Sequence, residues 1–447
     1  MFKMFINAFK VKDIRRKLLF TFGCLVLVRL GSLIPAPGVN SAAAKGFFEN
    51  IFGGESSGFI NMFTGGSLTQ VTIFALGISP YITSSIIMQL LTIAIPALAE
   101  MQKDGESGRK QLEKISRYVT VLLALIEATA MGIGFKNQNT GIVQNGWLGV
   151  ILIIVAFTAG SAFLMWLGEN ITEYGIGNGI SIILLINIVA EMPGEFVRLF
   201  NTKVAGQEKL IGKVLASFII LAILVVMIVL IVILQDAERK IAVQYSKKMV
   251  GRKMVGGSST NIPLKVNTAG VMPVIFAVSI FQFPIIICSF FNIHGSKAKG
   301  ASIGEKILYA CNTSNWFHFN KDFVYTIGAL LYIAMIIFFA YFYTSITFNP
   351  VEVAGNLKKN GGFVPGIRPG KPTIDFLTDV LNKIVLIGAI GLMIVALIPI
   401  ISCGAFRVEN LGFGGTSLII VVGVVLETMK QVESMMLTRH YRGFLSE

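Results

Sequence analysis

Residues Gly53 to Leu91 read GGESSGFINMFTGGSLTQVTIFALGISPYITSSIIMQLL, and how this stretch sits relative to a bilayer decides the fold. It opens as a glycine-broken fragment, Gly58 to Thr64, too short to cross, and continues through Gly65-Gly66 into an apolar run. From Val71 to Ile95 that run is long enough to span, since a crossing helix takes roughly 20 apolar residues. A half-helix is thus expected in front of a whole one. Lipid offers no partner to a backbone N–H or C=O, so non-helical backbone at membrane depth must be enclosed by protein or line a wet cavity. Within the spanning part, Ile78, Ile82 and Ile86 recur at four-residue spacing and line one helical face.

The rest of the chain agrees with a membrane setting. Of 447 residues, 54% are hydrophobic and only 14% charged, against about a quarter charged in a soluble domain. The composition therefore describes a polytopic membrane protein. Hydropathy places ten crossings near 18–38, 71–95, 115–135, 147–167, 179–199, 213–234, 269–291, 322–347, 381–403 and 412–432. Lys10 to Lys17, the apolar run 18–34 and Ser41-Ala-Ala-Ala44 imitate a secretory leader. The run exceeds the usual core of about 7 to 15 residues, contains Arg29 and ends at Pro35-Ala-Pro37, so it reads as a retained first helix. With both termini inside, the cytoplasmic segments hold more than twice as many Lys and Arg as the outer ones, as the positive-inside rule requires.

Two cytoplasmic segments are more than connections. Residues 235–267 carry Arg239, Lys240, Lys247, Lys248, Arg252 and Lys253, and the alternation Ile241, Val243, Tyr245 predicts a strand that opens a hairpin. Residues 349–379 carry Lys358, Lys359, Arg368 and Lys371 among Gly361-Gly362, Pro365-Gly366, Pro369-Gly370 and Pro372, which punctuate the chain into rigid turns. Positive-inside bias supplies such charge by itself; the turn chemistry around Arg368 goes beyond it and points to a docking surface for a large partner.

Enzyme signatures fail on context. Gly54-Glu-Ser-Ser-Gly58 fits a nucleophile elbow without the strand it needs, and Gly175, Gly177 and Gly179 make a turn rather than a phosphate cradle. Cys24, Cys288, Cys311 and Cys403 form no CxxC pair and no ligand spacing with His294, His318 or His440, so no metal or cofactor is expected. Ionisable residues at membrane depth are few: Arg29, Glu127 and Glu427. Such groups usually mark solute or ion paths, and the Ile78, Ile82, Ile86 face offers a small solute nothing polar to bind.

The segment FINMFTGGSL, residues 59–68, followed by IFALGISPYITSSIIMQLL, residues 73–91, resembles the plug and second helix of the SecY/Sec61 family, pore subunits of protein-translocation channels. The likeness continues through RLGSLIPAPG (29–38), KDGESGRKQLEKISRY (103–118), MWLGENITEYGIGNGIS (165–181), STNIPLKVNTAGVMPVIFA (259–277), NPVEVAGNLKKNGGFVPGIRPGKPT (349–373) and FGGTSLIIVV (413–422). The resemblance implies an all-α fold with ten transmembrane helices in two inverted five-helix halves around a central pore, residues 1–199 and 213–447. It also implies a pore ring of Ile78, Ile82, Ile180, Leu184, Ile275 and Ile420, with leucine at 184 where bacterial members carry isoleucine. A plug at about 58–70, including Phe59, Ile60, Asn61, Met62, Phe63 and Thr64, would sit under the ring on the outer side. A lateral gate would lie between Thr83 and Ile86 on one helix and Ser279 and Phe283 on another. The implied partners are SecE-like and SecG-like membrane subunits, a SecA-type motor ATPase and a ribosome at the basic loops, signal sequences, nascent polypeptides and membrane lipid. The implied location is the cell membrane, with energy supplied by the partner.

A ring of branched aliphatic side chains suits such a conduit: it closes by packing on itself and dewets, and dispersion contacts place no directional demand on the passing sequence. The alternative reading from helix count is a secondary transporter with inverted repeats. An intramembrane enzyme would need a catalytic pair that the sequence does not offer.

Overall fold

Long apolar runs in a bilayer have one economical solution, the helix, because it satisfies every backbone group internally. In the computed structural model the described residues are 9–40, 43–44, 46, 64–137, 141–144, 146–200, 210–245, 248–250, 253–255, 259–290, 302–311, 316, 327–406 and 415–443. Among them ten helices of 16 residues or more follow the ten expected crossings in order: α1 Lys12–Gly31, α2 Ser79–Ala94, α4 Glu106–Asn137, α5 Gly146–Tyr174, α6 Gly179–Leu199, α7 Leu210–Asp236, α8 Met272–Phe290, α10 Ile327–Thr347, α12 Lys371–Phe406 and α13 Gly415–Gly443. Three shorter helices, α3 Pro96–Lys103, α9 Ile303–Cys311 and α11 Pro350–Lys359, lie between them. Helices α4, α5, α7, α10 and α12 are each long and apolar enough to cross a membrane alone, and α2 with α3 reaches that length and apolarity only as a pair, bent by 106°. The chain is a multi-pass membrane protein.

Proline sets both ends of α2. Pro80 occupies its first turn, where a missing N–H costs nothing, and Ile78 before it is non-helical at φ −96° and ψ 0°. At the other end Ile95, preceding Pro96, is forced extended, and the chain turns sharply into α3. Here the expectation of a helix from 71 to 95 is corrected. Residues 65–78 form successive turns, and the helix starts only at Ser79.

This non-helical stretch is buried and its backbone is satisfied by protein. Ala36 N–H donates to Val71 O at 3.0 Å, Ile73 N–H to Ile34 O at 3.1 Å, and Thr72 N–H to Ser67 O at 3.0 Å. Leu68, Val71, Ala75 and Leu76 pack with Ala124, Ala128, Phe135, Ile153 and Phe157 of α4 and α5 into one apolar cluster. At Gly160 of α5 a methyl group would strike the Ile73 carbonyl, so the helix lies directly on this backbone. Apolar side chains serve a buried turn as well as a buried helix, and hydropathy does not separate the two.

The two basic segments fold together. Strand β1, Glu238–Tyr245, pairs antiparallel with β4, Ser259–Lys265, with Ile241 opposite Ile262. The short strands β2, Lys248–Val250, and β3, Lys253–Val255, pair separately. The other edge of β1 takes β5, Gly362–Phe363, from the second segment. Ile241 and Val243 point inward against Leu264, Ala354, Leu357, Val364 and the foot of α12 at Leu377, Val380 and Ile384. The expected hairpin is present; its third strand, which welds the two segments into one body, was not foreseen.

Candidate pore and its surroundings

The residues expected for the ring lie near four helix starts. Ile78 and Ile82 stand at the entry and first turn of α2, Ile180 and Leu184 in the first two turns of α6, Ile275 in the first turn of α8, and Ile420 in the second turn of α13. Five of the six belong to one extended apolar cluster, which also holds Ile86, Ile183, Val274, Phe276, Leu418 and Val424. Ile78, Ile82, Leu184, Ile275 and Ile420 are buried, at 2%, 8%, 3%, 5% and 1% exposure, and Ile180 packs half-buried against them. Asn178 starts α6 by accepting from Ile180 N–H at 3.1 Å and Ser181 N–H at 3.3 Å, an N-cap that fixes where the two α6 residues begin. The α5–α6 turn before it is clamped from both ends of the sequence: Ile176 N–H donates to Thr21 Oγ1 of α1 at 3.1 Å, and Gly177 N–H to Gln431 Oε1 of α13.

Of the expected plug, residues 59–63 lie outside the described residues; Thr64 is buried. Helices α2 and α8 touch, as the expected gate requires. Thr83 spends its hydroxyl on Ser79 O of its own helix at 3.1 Å, Ile86 is buried, and Ser279 is half-buried. The Phe283 side chain lies outside the described residues.

The basic residues divide likewise. Arg239 and Lys240 are exposed on β1, with Lys240 Nζ 3.1 Å from Glu238 Oε1. Lys358 and Lys359 end α11, where they complement the helix dipole. Arg368 is exposed at the tip of a turn whose backbone is fixed by Ile367 N–H donating to Val364 O at 3.0 Å and Thr373 Oγ1 donating to Arg368 O at 2.8 Å. Lys248 lies in β2, while Lys247 and Arg252 lie outside the described residues.

Sequence reasoning singled out Arg29 without its surroundings. Its Nη1 donates to Gly65 O at 3.2 Å, and Asn187 and Glu191 of α6 stand at the same turn. Asn187 was legible in principle, as the lone amide within the apolar run Ile182 to Ala190. Glu127 Oε1 is buried with no hydrogen-bond partner among the described residues. No group of three or more His, Cys, Asp or Glu among those residues is arranged to hold a metal. The arrangement offers an extended apolar cluster drawn from several helices, enclosed non-helical backbone, and a basic platform in which the two loop segments share one sheet.

Comparison with known proteins gives consistent matches. A family model described as SecY matches residues 72–429. The chain is 43% identical over 450 residues to the protein translocase subunit SecY of Halalkalibacterium halodurans, with 100% of each chain covered. Its fold is similar to a solved protein-conducting channel, at TM-score 0.64 and 19% identity over 94% of this chain and 92% of that one. It is also similar to Sec61 in the canine ribosome-channel complex from the endoplasmic reticulum, at TM-score 0.62 and 18% identity over the same shares.

Proposed function

The chain belongs to the SecY family, and we infer from that membership and the geometry above that it is the central subunit of a protein-conducting channel. It passes unfolded secretory polypeptides across the membrane and releases signal sequences and transmembrane helices sideways into lipid. It is a channel and not an enzyme. The observation that supports this reading is that five of these aliphatic side chains, from four helices, lie in one extended apolar cluster against which Ile180 packs.

In this reading Ile78, Ile82, Ile180, Leu184, Ile275 and Ile420 form the constriction. Their packing is favourable by about 25 cal/mol per Å² of apolar surface removed from water, so the idle ring closes on itself. An arriving polypeptide replaces these contacts with its own, whatever its sequence, and the ring stays sealed around it. Residues 58–70 act as the outer stopper, with Thr64 to Gln70 as its anchored end. Helices α2 and α8 part at Thr83, Ile86, Ser279 and Phe283 to let an apolar segment reach lipid. The half-buried Thr83 and Ser279 make that seam weaker than one sealed by large aliphatic groups.

The sheet of β1, β4 and β5 with the Arg368 turn presents Arg239, Lys240, Lys247, Lys248, Arg252, Lys358, Lys359 and Arg368 to a SecA-type motor or a ribosome; the latter is the partner of the similar canine channel. SecE-like and SecG-like subunits complete the assembly. The chain lies in the cell membrane with both termini cytoplasmic, the orientation its Lys and Arg distribution favours.

The test is reconstitution with those companion subunits and the motor in vesicles. ATP-dependent protection of a signal-bearing precursor from added protease is expected, and its absence from vesicles in which a related channel works would overturn the reading. Ion flux driven by a small solute, in vesicles holding this chain alone, would favour a transporter instead.

A further inference from the structure

The turn between α5 and α6, residues 175–179, is gripped by the first long helix and the last. Ile176 N–H donates to Thr21 Oγ1 of α1 at 3.1 Å, and Gly177 N–H donates to Gln431 Oε1 of α13. The Ile176 side chain, 1% exposed, packs with Ile14 of α1 and Val432 of α13, with Met435 and Met436 alongside. The fit leaves no slack. A methyl group on Gly177, at φ 80°, would lie 2.8 Å from Ile182 Cδ1 and 3.1 Å from Thr428 Oγ1 of α13, and one on Gly179 would strike the Gly168 carbonyl.

A buried backbone N–H must find an acceptor, and these two find theirs on side chains of other helices. Thr21 Oγ1 donates its own proton to Lys17 O at 3.0 Å within α1, so toward Ile176 it acts only as acceptor. What the junction controls is axial position. A helix is stiff along its axis and rises about 1.5 Å per residue, so the height of one residue sets the height of every other on it. From Gly177 the chain enters α6 at once, with Ile180 and Leu184 in its first two turns. From Gln431, α13 runs back unbroken to Ile420, roughly 16 Å away. Pinning Gln431 to Gly177 therefore fixes the height of Ile420 relative to Ile180 and Leu184.

We propose that Thr21 and Gln431 are positioning residues of the pore: they lock the α5–α6 turn between α1 and α13 and so hold Ile420 level with Ile180 and Leu184. This role rests on the reading of those three residues as part of the constriction. Neither Thr21 nor Gln431 touches the translocating chain; both act through the backbone of the turn. The neighbouring Lys430 does not share the role, because its contact with Asp236 ties α13 to α7 through an exposed pair of small worth.

The experiment compares idle channels reconstituted with companion subunits in vesicles, without precursor or motor. Gln431→Met and Thr21→Val remove the two acceptors at nearly constant volume, whereas Gln431→Glu and Thr21→Ser keep them. Lys430→Ala loosens α13 elsewhere, and Ile275→Asn perturbs the constriction directly. The readouts are amide hydrogen exchange at Ile176 and Gly177 and ion leak. Gln431→Met and Thr21→Val are expected to speed exchange at the released amide and to raise leak, each about fivefold, the shift for one lost hydrogen bond. Gln431→Glu, Thr21→Ser and Lys430→Ala should match wild type in both. Gln431 lies on an exposed face of α13, so its variants carry the test even where the buried Thr21→Val fails to fold. If Ile275→Asn leaks while Gln431→Met speeds exchange without leak, the positioning role is wrong and the constriction stands. Equal leak from Gln431→Glu and Gln431→Met would also overturn it. If Ile275→Asn does not leak, constriction and positioning role fall together.

Discussion

Replacing Ile275 by asparagine is expected to open the idle channel to ions. The side chain is 5% exposed and packs in the cluster that holds Ile78, Ile82, Leu184 and Ile420. Fully burying an isoleucine is worth about 1.5–3 kcal/mol, which the substitution removes from the closed state. The amide that replaces it has no partner among aliphatic neighbours and adds a desolvation cost of about 1–3 kcal/mol unless water enters. Both effects favour the hydrated ring, and together they amount to about 2.5–6 kcal/mol. Even the lower figure corresponds to about sixtyfold in the open-to-closed ratio at about 1.4 kcal/mol per decade. The assay is efflux of a trapped ion from vesicles containing the channel and its companion subunits. Ile387→Asn on α12, at a side chain 61% exposed, serves as the control and should leave efflux unchanged. Equal efflux from Ile275→Asn and wild type would refute the reasoning, as would an equal rise in the control.

Other perturbations test the remaining assignments. Arg368→Glu reverses the charge at the tip of the fixed turn and is expected to abolish motor-driven export with normal membrane insertion; normal export would remove Arg368 from the docking surface. Cysteines introduced at Thr83 and Phe283 and cross-linked should block export, with reduction restoring it, and undiminished export through the linked protein would refute the gate. Val243→Ala, at a fully buried strand position, should destabilise the three-stranded sheet by about 2 kcal/mol, seen as faster limited proteolysis within 235–267. A cleavage rate equal to wild type would contradict that packing.

Much of this fold is legible because a bilayer leaves few choices. The ten long helices follow the apolar runs, although α4 and α12 begin well before them, at Glu106 and Lys371. Those first turns carry charged residues that hydropathy discounts but that water solvates. The miss at 71–78 has a definite cause: burial demands apolar side chains of turn and helix alike, and only Gly77 and Pro80 carried the difference. The hairpin from Ile241 and Val243 was readable by alternation, whereas the two-residue strand Gly362–Phe363 is too short to have a period. The six ring residues came from family resemblance. Their common surroundings, one apolar cluster drawn from several helices, are tertiary information that spacing within any one helix lacks. Asn187 escaped because a search for ionisable groups passes over an amide.

The three-stranded sheet has a mechanical consequence. Strand β1 leaves α7 directly, with Val266 N–H donating to Ala237 O at 2.8 Å just after β4, close to where α8 begins. Strand β5 follows α11 below α10, and Thr373 ties the Arg368 tip to the first turn of α12. Lys430 Nζ, 2.7 Å from Asp236 Oδ1, adds α13 to the set. In the proposed docking role, a load placed on the Arg368 tip would be divided among these helices through the shared sheet and its ties, and not carried by a single connection.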